Sequence, residues 1–160
     1  MTPSIRAATS DDSAVIADVL IEAAEWLIAT GRSLWSPEEF TKERISPEAS
    51  RFFLVAHQSK VAAVYKLEDS DPIFWPDVRA GESLFLHKLA VRRAFAGQGL
   101  PMLMLDHAVE QARVRKKKYL RLDCDAPRSR LRELYEGFGF SHHSDWTAGE
   151  FHVARYQYEI

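Results

Sequence analysis

Residues 83 to 91 read SLFLHKLAV, and both alternating faces of that run are largely apolar. A strand that is apolar on both faces needs cover on both, which places it inside a sheet flanked by helices. A loop with two prolines, one glycine and four acidic residues precedes it, and AGQGLP follows after RRAF, so the strand gives way almost at once to a helix. The rest of the chain must supply the neighbouring strands and the covering helices.

It does so in a readable order. SIRAAT is a short strand, after which Ser10, Asp11 and Asp12 offer capping oxygens to a helix. Val15, Ile16, Val19, Leu20, Ala23, Ala24, Leu27 and Ile28 recur at three- and four-residue steps, which predicts a helix to about Thr30 that stops at Gly31. Pro37 opens a second helix, expected to run to about Ile45. RFFLVAH and VAAVYKLE flank QSK and read as a hairpin. DSDPIFWPDVRAGES is a loop whose Phe74 and Trp75 either line a substrate or pin the loop to the core. A helix from Leu100 to about Lys116 ends in RVRKKK, cations at the negative end of its dipole. YLRLDCD is a strand, Pro127 opens a helix closed by Gly139, and the remainder forms two strands around Thr147 to Glu150. The order β-α-α-β-β-β-α-β-α-β-β is that of a mixed sheet with helices on both faces, and residues 1–160 are expected to form one domain.

Composition excludes several classes. The net charge of -2 gives no overall attraction for nucleic acid or an anionic membrane, and no recognition-helix pattern stands out. No run reaches the ~20 apolar residues of a membrane span, and MTPSIRAATSDD lacks the basic-then-apolar order of a signal peptide. Cys124 is the only cysteine, so no intramolecular disulfide is available, as suits a cytoplasmic protein. His142 and His143 have no matching ligand set, so no metal site is expected there.

LAVRRAFAGQGLP raises the functional question. A strand, glycines and a helix start present backbone N–H groups and a helix dipole suited to phosphate oxygens. Pro101 fits the first helical turn but removes one donor. The stretch is neither a P-loop nor a dinucleotide fingerprint, so a phosphate cradle and a ligand-free tight turn both stay open on these residues alone.

LHKLAVRRAFAGQGLPMLMLDHAVEQA followed by YLRLDCDAPRSRLRELYEGFGF resembles the GCN5-related N-acetyltransferase (GNAT) family. That family joins a strand ending in Leu-Ala-Val, an Arg/Gln-x-x-Gly-x-Gly/Ala turn and a helix. Further on, a helix carries Tyr-Glu-x-x-Gly-Phe, standing here as Tyr135 to Phe140. The strong resemblance covers about residues 84 to 140. It implies an α/β fold with a mixed, mostly antiparallel sheet flanked by helices and a splay between two central parallel strands. It also implies acetyl-CoA as donor, the pantetheine arm along Leu89, Ala90 and Val91, and the pyrophosphate in the turn of Ala96, Gly97, Gln98, Gly99, Leu100 and Pro101. Ala96 and Pro101 depart from the family's usual residues, and Arg92 and Arg93 are candidates to restore the positive charge. Arg128 stands where members often carry Asn and is a further candidate phosphate contact.

Acetyl transfer to an amine requires a base, an oxyanion stabiliser and a proton donor for the thiolate. The resemblance assigns Tyr135 as acid and the backbone N–H of Leu89 or Val91 to the thioester carbonyl. The usual glutamate position holds Phe85, but His87, on the same alternating face, matches the histidine of the family's arylalkylamine acetyltransferases and titrates near neutrality. Glu82 is a weaker candidate base. Trp26, Trp35 and Trp75 lie in segments that line the acceptor side in related folds, which suggests an apolar or aromatic small amine. The resulting expectation is a cytoplasmic N-acetyltransferase acting by direct transfer. A non-catalytic module that senses an acyl-CoA is the rival. A homodimer, common in this fold, is compatible with the aromatic C-terminal segment.

Overall fold

The computed structural model describes residues 2–32 and 34–160. The expected element order holds. Strands are β1 (Ser4–Ala7), β2 (Phe52–His57), β3 (Lys60–Glu68), β4 (Ser83–Val91), β5 (Tyr119–Asp125), β6 (Ser141–Ala148) and β7 (Phe151–Glu159). Helices are α1 (Ser13–Ala29), α2 (Lys42–Ile45), α3 (Leu100–Val114) and α4 (Ser129–Phe138). The strands form one mixed seven-stranded sheet in the order β1-β2-β3-β4-β5-β7-β6. β4 and β5 are parallel, while the β1–β2, β2–β3, β5–β7 and β6–β7 pairs are antiparallel. Two compact units make up the chain, Met1–Lys66 with Lys88–Met104 and Leu67–His87 with Leu105–Ile160.

In the first unit α1 buries Ile16, Ala17, Val19, Leu20, Ala24 and Leu27, a stripe at helical spacing. Ile16, Val19, Leu20 and Ala24 share a core with Phe52 and Leu54 of β2, Val64 of β3 and Ala90 of β4. The stripe is narrower than the sequence suggests, since Ile28 is exposed and Val15 and Ala23 only edge the core. The helix start also differs. Asp12 does not cap α1 with its side chain; its carboxylate turns back to accept from the Thr9 N–H at 2.8 Å and from the Arg6 guanidinium at 2.8 and 2.9 Å. At the other end Gly31 adopts φ 83° and Arg32 N–H reaches the Leu27 carbonyl at 2.7 Å, the left-handed stop its glycine allows.

The helix expected from Pro37 to Ile45 is broken. Pro37–Glu39 forms one tight 3-10 turn, Phe40 and Thr41 leave helical geometry, and α2 begins only at Lys42. Phe40 is buried, and placing its ring in the core pulls the backbone out of the helix. Thr41 then caps α2, its hydroxyl accepting from the Arg44 N–H at 3.2 Å.

In the second unit β5 pairs with β7 along its full length, from Tyr119 opposite Glu159 to Asp125 opposite Val153. α4 is strongly amphipathic and buries Tyr135. It ends at Gly139, whose φ of 127° suits glycine and whose missing Cβ would lie 3.2 Å from the Tyr158 ring. Phe138, Phe140 and Tyr158 close around that point with ring centroids 5.6 to 5.8 Å apart.

Candidate functional site

β4 is regular only in its first half. Ser83, Leu84 and Phe85 pair with Tyr119, Leu120 and Arg121, and there the parallel ladder stops. β4 continues to His87 within this unit, and β5 continues to Asp125 paired with β7. Within this unit the pairing of β4 with β5 ends at Phe85 and Arg121, and an unpaired strand edge offers N–H and C=O groups to a ligand. Lys88, the residue after His87, has φ 55°, a left-handed conformation costly for lysine. The expected alternation of Phe85, His87, Leu89 and Val91 on one face is thus interrupted between His87 and Leu89. Alternation in the sequence carries no sign of such a kink.

His87 lies just beyond the last β4–β5 pair. Its Nε2 is 3.3 Å from Oδ2 of Asp71, whose side chain is 5% exposed. The other Asp71 oxygen, Oδ1, accepts from the N–H groups of Ile73 (3.2 Å) and Phe74 (2.9 Å), and the Asp71 carbonyl accepts from Trp75 N–H. Asp123 of β5 also approaches, so that one ligand-type atom from each of Asp71, His87 and Asp123 lies within 4.8 Å of the others. Sequence reasoning missed both aspartates. The Asp-Pro at 71–72 is a turn-initiating signal, but it does not say what the turn faces.

Trp75 is a clamp with 2% of its surface exposed. The Arg155 and Arg121 guanidinium groups lie over its ring at 4.5 and 5.2 Å, and Phe85 and His143 flank it at 6.2 and 5.1 Å. Arg155 also holds Asp77 at 2.7 Å and the Phe74 carbonyl at 3.1 Å. The loop before β4 is therefore pinned, and Trp75 presents no open ring face to an acceptor. Glu82, the weaker candidate base, is engaged by Arg121 at 3.0 Å.

Tyr135 packs edge-on against Phe140 at 5.8 Å and lies 6.2 Å from Tyr156. Burial, and after it the nearby Cys124, push its hydroxyl well above the ordinary tyrosine range, so it stays protonated at neutral pH and has a proton to donate. Burial also pushes the Cys124 thiol up to about 12, which removes it as a nucleophile. Arg128 is half-buried at the start of α4, where its charge opposes both upward shifts.

In the first unit Leu89 and Val91 are half-buried and Ala90 buried. Arg92 is held inward: its Nε donates to the Val61 carbonyl at 3.0 Å and its guanidinium meets Glu22 Oε1 at 3.1 Å. The other Glu22 oxygen accepts from Arg93 N–H at 2.7 Å, and the Arg93 guanidinium stacks 4.0 Å above Trp26. Buried Phe95 and Leu100 anchor the turn at both ends, while Ala96, Gly97, Gln98 and Gly99 arch outward, exposed. Gly97 and Gly99 have φ of 76° and 77°, and no atom lies within 4 Å of where their Cβ would be. The glycines serve the conformation of the arch, which leaves its outer face open to a ligand. The first-turn amides of α3, apart from Pro101, point out of the same end.

A cleft of about 280 Å³ in this unit is walled by Leu20, Phe40, Ile45 and Phe52 and carries Glu39, Glu48, Arg44 and Lys88 at its polar side. Trp35 is half-buried beside it, edge-on to Phe40 at 6.0 Å, with Lys88 Nζ 5.0 Å from its ring.

The sequence matches the Acetyltransferase (GNAT) family over residues 20–140. The uncharacterized N-acetyltransferase YesJ of Bacillus subtilis (strain 168) is 33% identical over 141 residues, 83% of this chain and 78% of that protein. A GNAT-family acetyltransferase from Listeria monocytogenes 4b F2365 superimposes with a TM-score of 0.83 at 24% identity, over 99% of this chain and 95% of the other. PaiA N-acetyltransferase of Thermoplasma acidophilum, solved with coenzyme A, has a TM-score of 0.76 at 18% identity, over 99% and 100% of the two chains. YncA of Salmonella typhimurium, solved with acetyl-CoA, has a TM-score of 0.76 at 15% identity, over 99% and 94%. At these identities the structural likeness establishes the fold. The family match spans most of the sequence, so this chain belongs to the GNAT family and is an acetyl-CoA-dependent N-acetyltransferase.

Proposed function

We propose that the chain acetylates the primary amine of a small molecule by direct transfer, with His87 as base and Tyr135 as acid. The observation that carries this reading is the end of the β4–β5 ladder after Phe85 and Arg121, with His87 directly beyond it. When bound, acetyl-CoA supplies an activated thioester. Leu89, Ala90 and Val91 line its pantetheine arm, and the arch from Ala96 to Pro101 receives its pyrophosphate, with Arg92 and Arg128 as candidate contacts. His87 takes the proton of the acceptor's ammonium group. The free amine then forms the C–N bond as the C–S bond breaks, the Tyr135 hydroxyl protonates the leaving sulfur, and the nitrogen's second proton passes to the Tyr135 oxygen, directly or through water. The N–H of Leu89 or Val91 polarises the carbonyl. A buried thiol held up to about 12 at the chain's only cysteine argues for direct transfer over an acyl-cysteine intermediate.

The cleft volume of about 280 Å³ suits a small acceptor, near the lower end of small-ligand pockets. Its Phe40 and Phe52 walls, with Trp35 alongside, favour an apolar or aromatic amine, and Trp26 lends a second half-buried ring. Thiol release from acetyl-CoA across arylalkylamines, polyamines and aminoglycosides tests this. Turnover is expected with arylalkylamines; turnover confined to polyamines or aminoglycosides would remove the aromatic acceptor. Ala96 and Pro101 favour the second reading, an acyl-CoA sensor. Stabilisation of the protein by acetyl-CoA with no turnover on any amine would support it.

A further inference from the structure

We infer that Asp71 is a positioning residue for His87, fixing its tautomer and stabilising the imidazolium formed when it accepts a proton. This rests on the reading of His87 as the base. The geometry is specific. Two backbone N–H groups, from Ile73 and Phe74, hold Oδ1 and so set the plane of the carboxylate. Oδ2 is left facing His87 Nε2 at 3.3 Å, buried and without a hydrogen bond of good alignment. A buried carboxylate oxygen without a donor is costly, and that cost is relieved when a charged N–H turns toward it. The contact is at ion-pair distance but out of hydrogen-bond alignment. A small rotation of the imidazole closes it, and the gain is larger for the cation than for the neutral ring.

With Nε2–H directed at Asp71, the basic lone pair belongs to Nδ1. The proton balance is simple: Nδ1 receives the proton from the acceptor's ammonium, Nε2 keeps its own, and Asp71 remains a carboxylate throughout. Two charged groups that the structure places near His87 are Asp71 from the loop and Asp123 from β5. Both favour the imidazolium, and Asp71 approaches its Nε2 to 3.3 Å.

The test is the pH profile of kcat/KM in Asp71→Asn, Asp71→Glu, Asp123→Asn and His87→Ala, each with the KM for acetyl-CoA measured alongside. In the wild type, activity rises as His87 loses its proton. Asp71→Asn keeps the shape and the acceptors for Ile73 and Phe74 but removes the charge. Its rising limb is expected to move about one pH unit lower, with plateau kcat about tenfold lower and KM for acetyl-CoA unchanged. Asp71→Glu should bring the limb part of the way back, and Asp123→Asn should move it less than Asp71→Asn does. A limb that stays in place in a folded Asp71→Asn enzyme, while His87→Ala abolishes it, overturns the role of Asp71 and leaves the base in place. A wild-type profile in His87→Ala overturns the base itself. Because the same three side chains are also metal-ligand types, loss of activity on chelation, restored by Zn²⁺, would overturn the proton role in favour of a metal.

Discussion

Arg92 shows how far a residue's chemistry depends on its neighbours. In the sequence it stands ready to replace phosphate-binding groups lost at Ala96 and Pro101. In the structure its guanidinium is engaged by Glu22 and the Val61 carbonyl, and Glu22 also takes Arg93 N–H. Glu22 therefore ties the start of the glycine turn to α1 through both Arg92 and the backbone N–H of Arg93. We predict that Glu22→Ala costs about 1 kcal/mol of stability, the lower range for a hydrogen bond to a charged group because the pair is partly exposed. The KM for acetyl-CoA should rise several-fold with kcat retained. Steady-state kinetics with acetyl-CoA varied would check this, and an unchanged KM would mean that Phe95 and Leu100 hold the turn unaided. Nothing in the local sequence links Glu22 to Arg92, because the bond closes between a helix and a turn far apart in the chain.

Among the elements, those with strong periodicity were legible: α1 from its apolar stripe, the β2–β3 hairpin from its two apolar runs, and α4 from its glycine stop, although it starts at Ser129, two residues after Pro127. The misread elements are those where one side chain overrode the pattern. Burial of Phe40 broke the expected Pro37–Ile45 helix, and the left-handed backbone at Lys88 broke the alternation of β4. The turn of Gly97 and Gly99 was legible because its glycines have a local cause. Gly97 and Gly99 both take positive φ with open space around them. Gly99→Ala therefore meets no steric obstacle, only the conformational cost of about 1–2 kcal/mol for a left-handed alanine. The expected outcome is a melting temperature lowered by a few degrees and acetyl-CoA affinity weakened about tenfold by calorimetry, since 1.4 kcal/mol corresponds to tenfold. An affinity equal to wild type would separate the arch from cofactor binding.

At the scale of the whole molecule, two ion pairs set the response to acid, one in each unit. The Arg6 guanidinium, with help from Thr9 N–H, holds the Asp12 carboxyl down to about 2, and Arg155 lowers Asp77 in the same direction. A carboxylate depressed in the folded state stabilises it above the unfolded value near 4 and ceases to do so as pH falls through the folded value. The melting temperature should therefore fall as the pH is taken from about 4 toward 2. Asp12→Asn should flatten that fall and cost roughly 1 kcal/mol at neutral pH, with solvent screening at the exposed Arg6 keeping it below the full linkage value. Thermal melts of both proteins across that range check it; parallel curves would contradict it. The fold class and the parallel pair could be read from the chain because they rest on contiguous patterns. The surroundings of His87 could not, since Asp71 and Asp123 reach it from a loop and a neighbouring strand. The central claim is that Tyr135, kept protonated by burial, donates the proton that completes transfer. Its most direct test is kcat for Tyr135→Phe beside its calorimetric affinity for acetyl-CoA. The account predicts kcat lower by about 100-fold or more with affinity nearly unchanged; a wild-type kcat in the folded variant would contradict it.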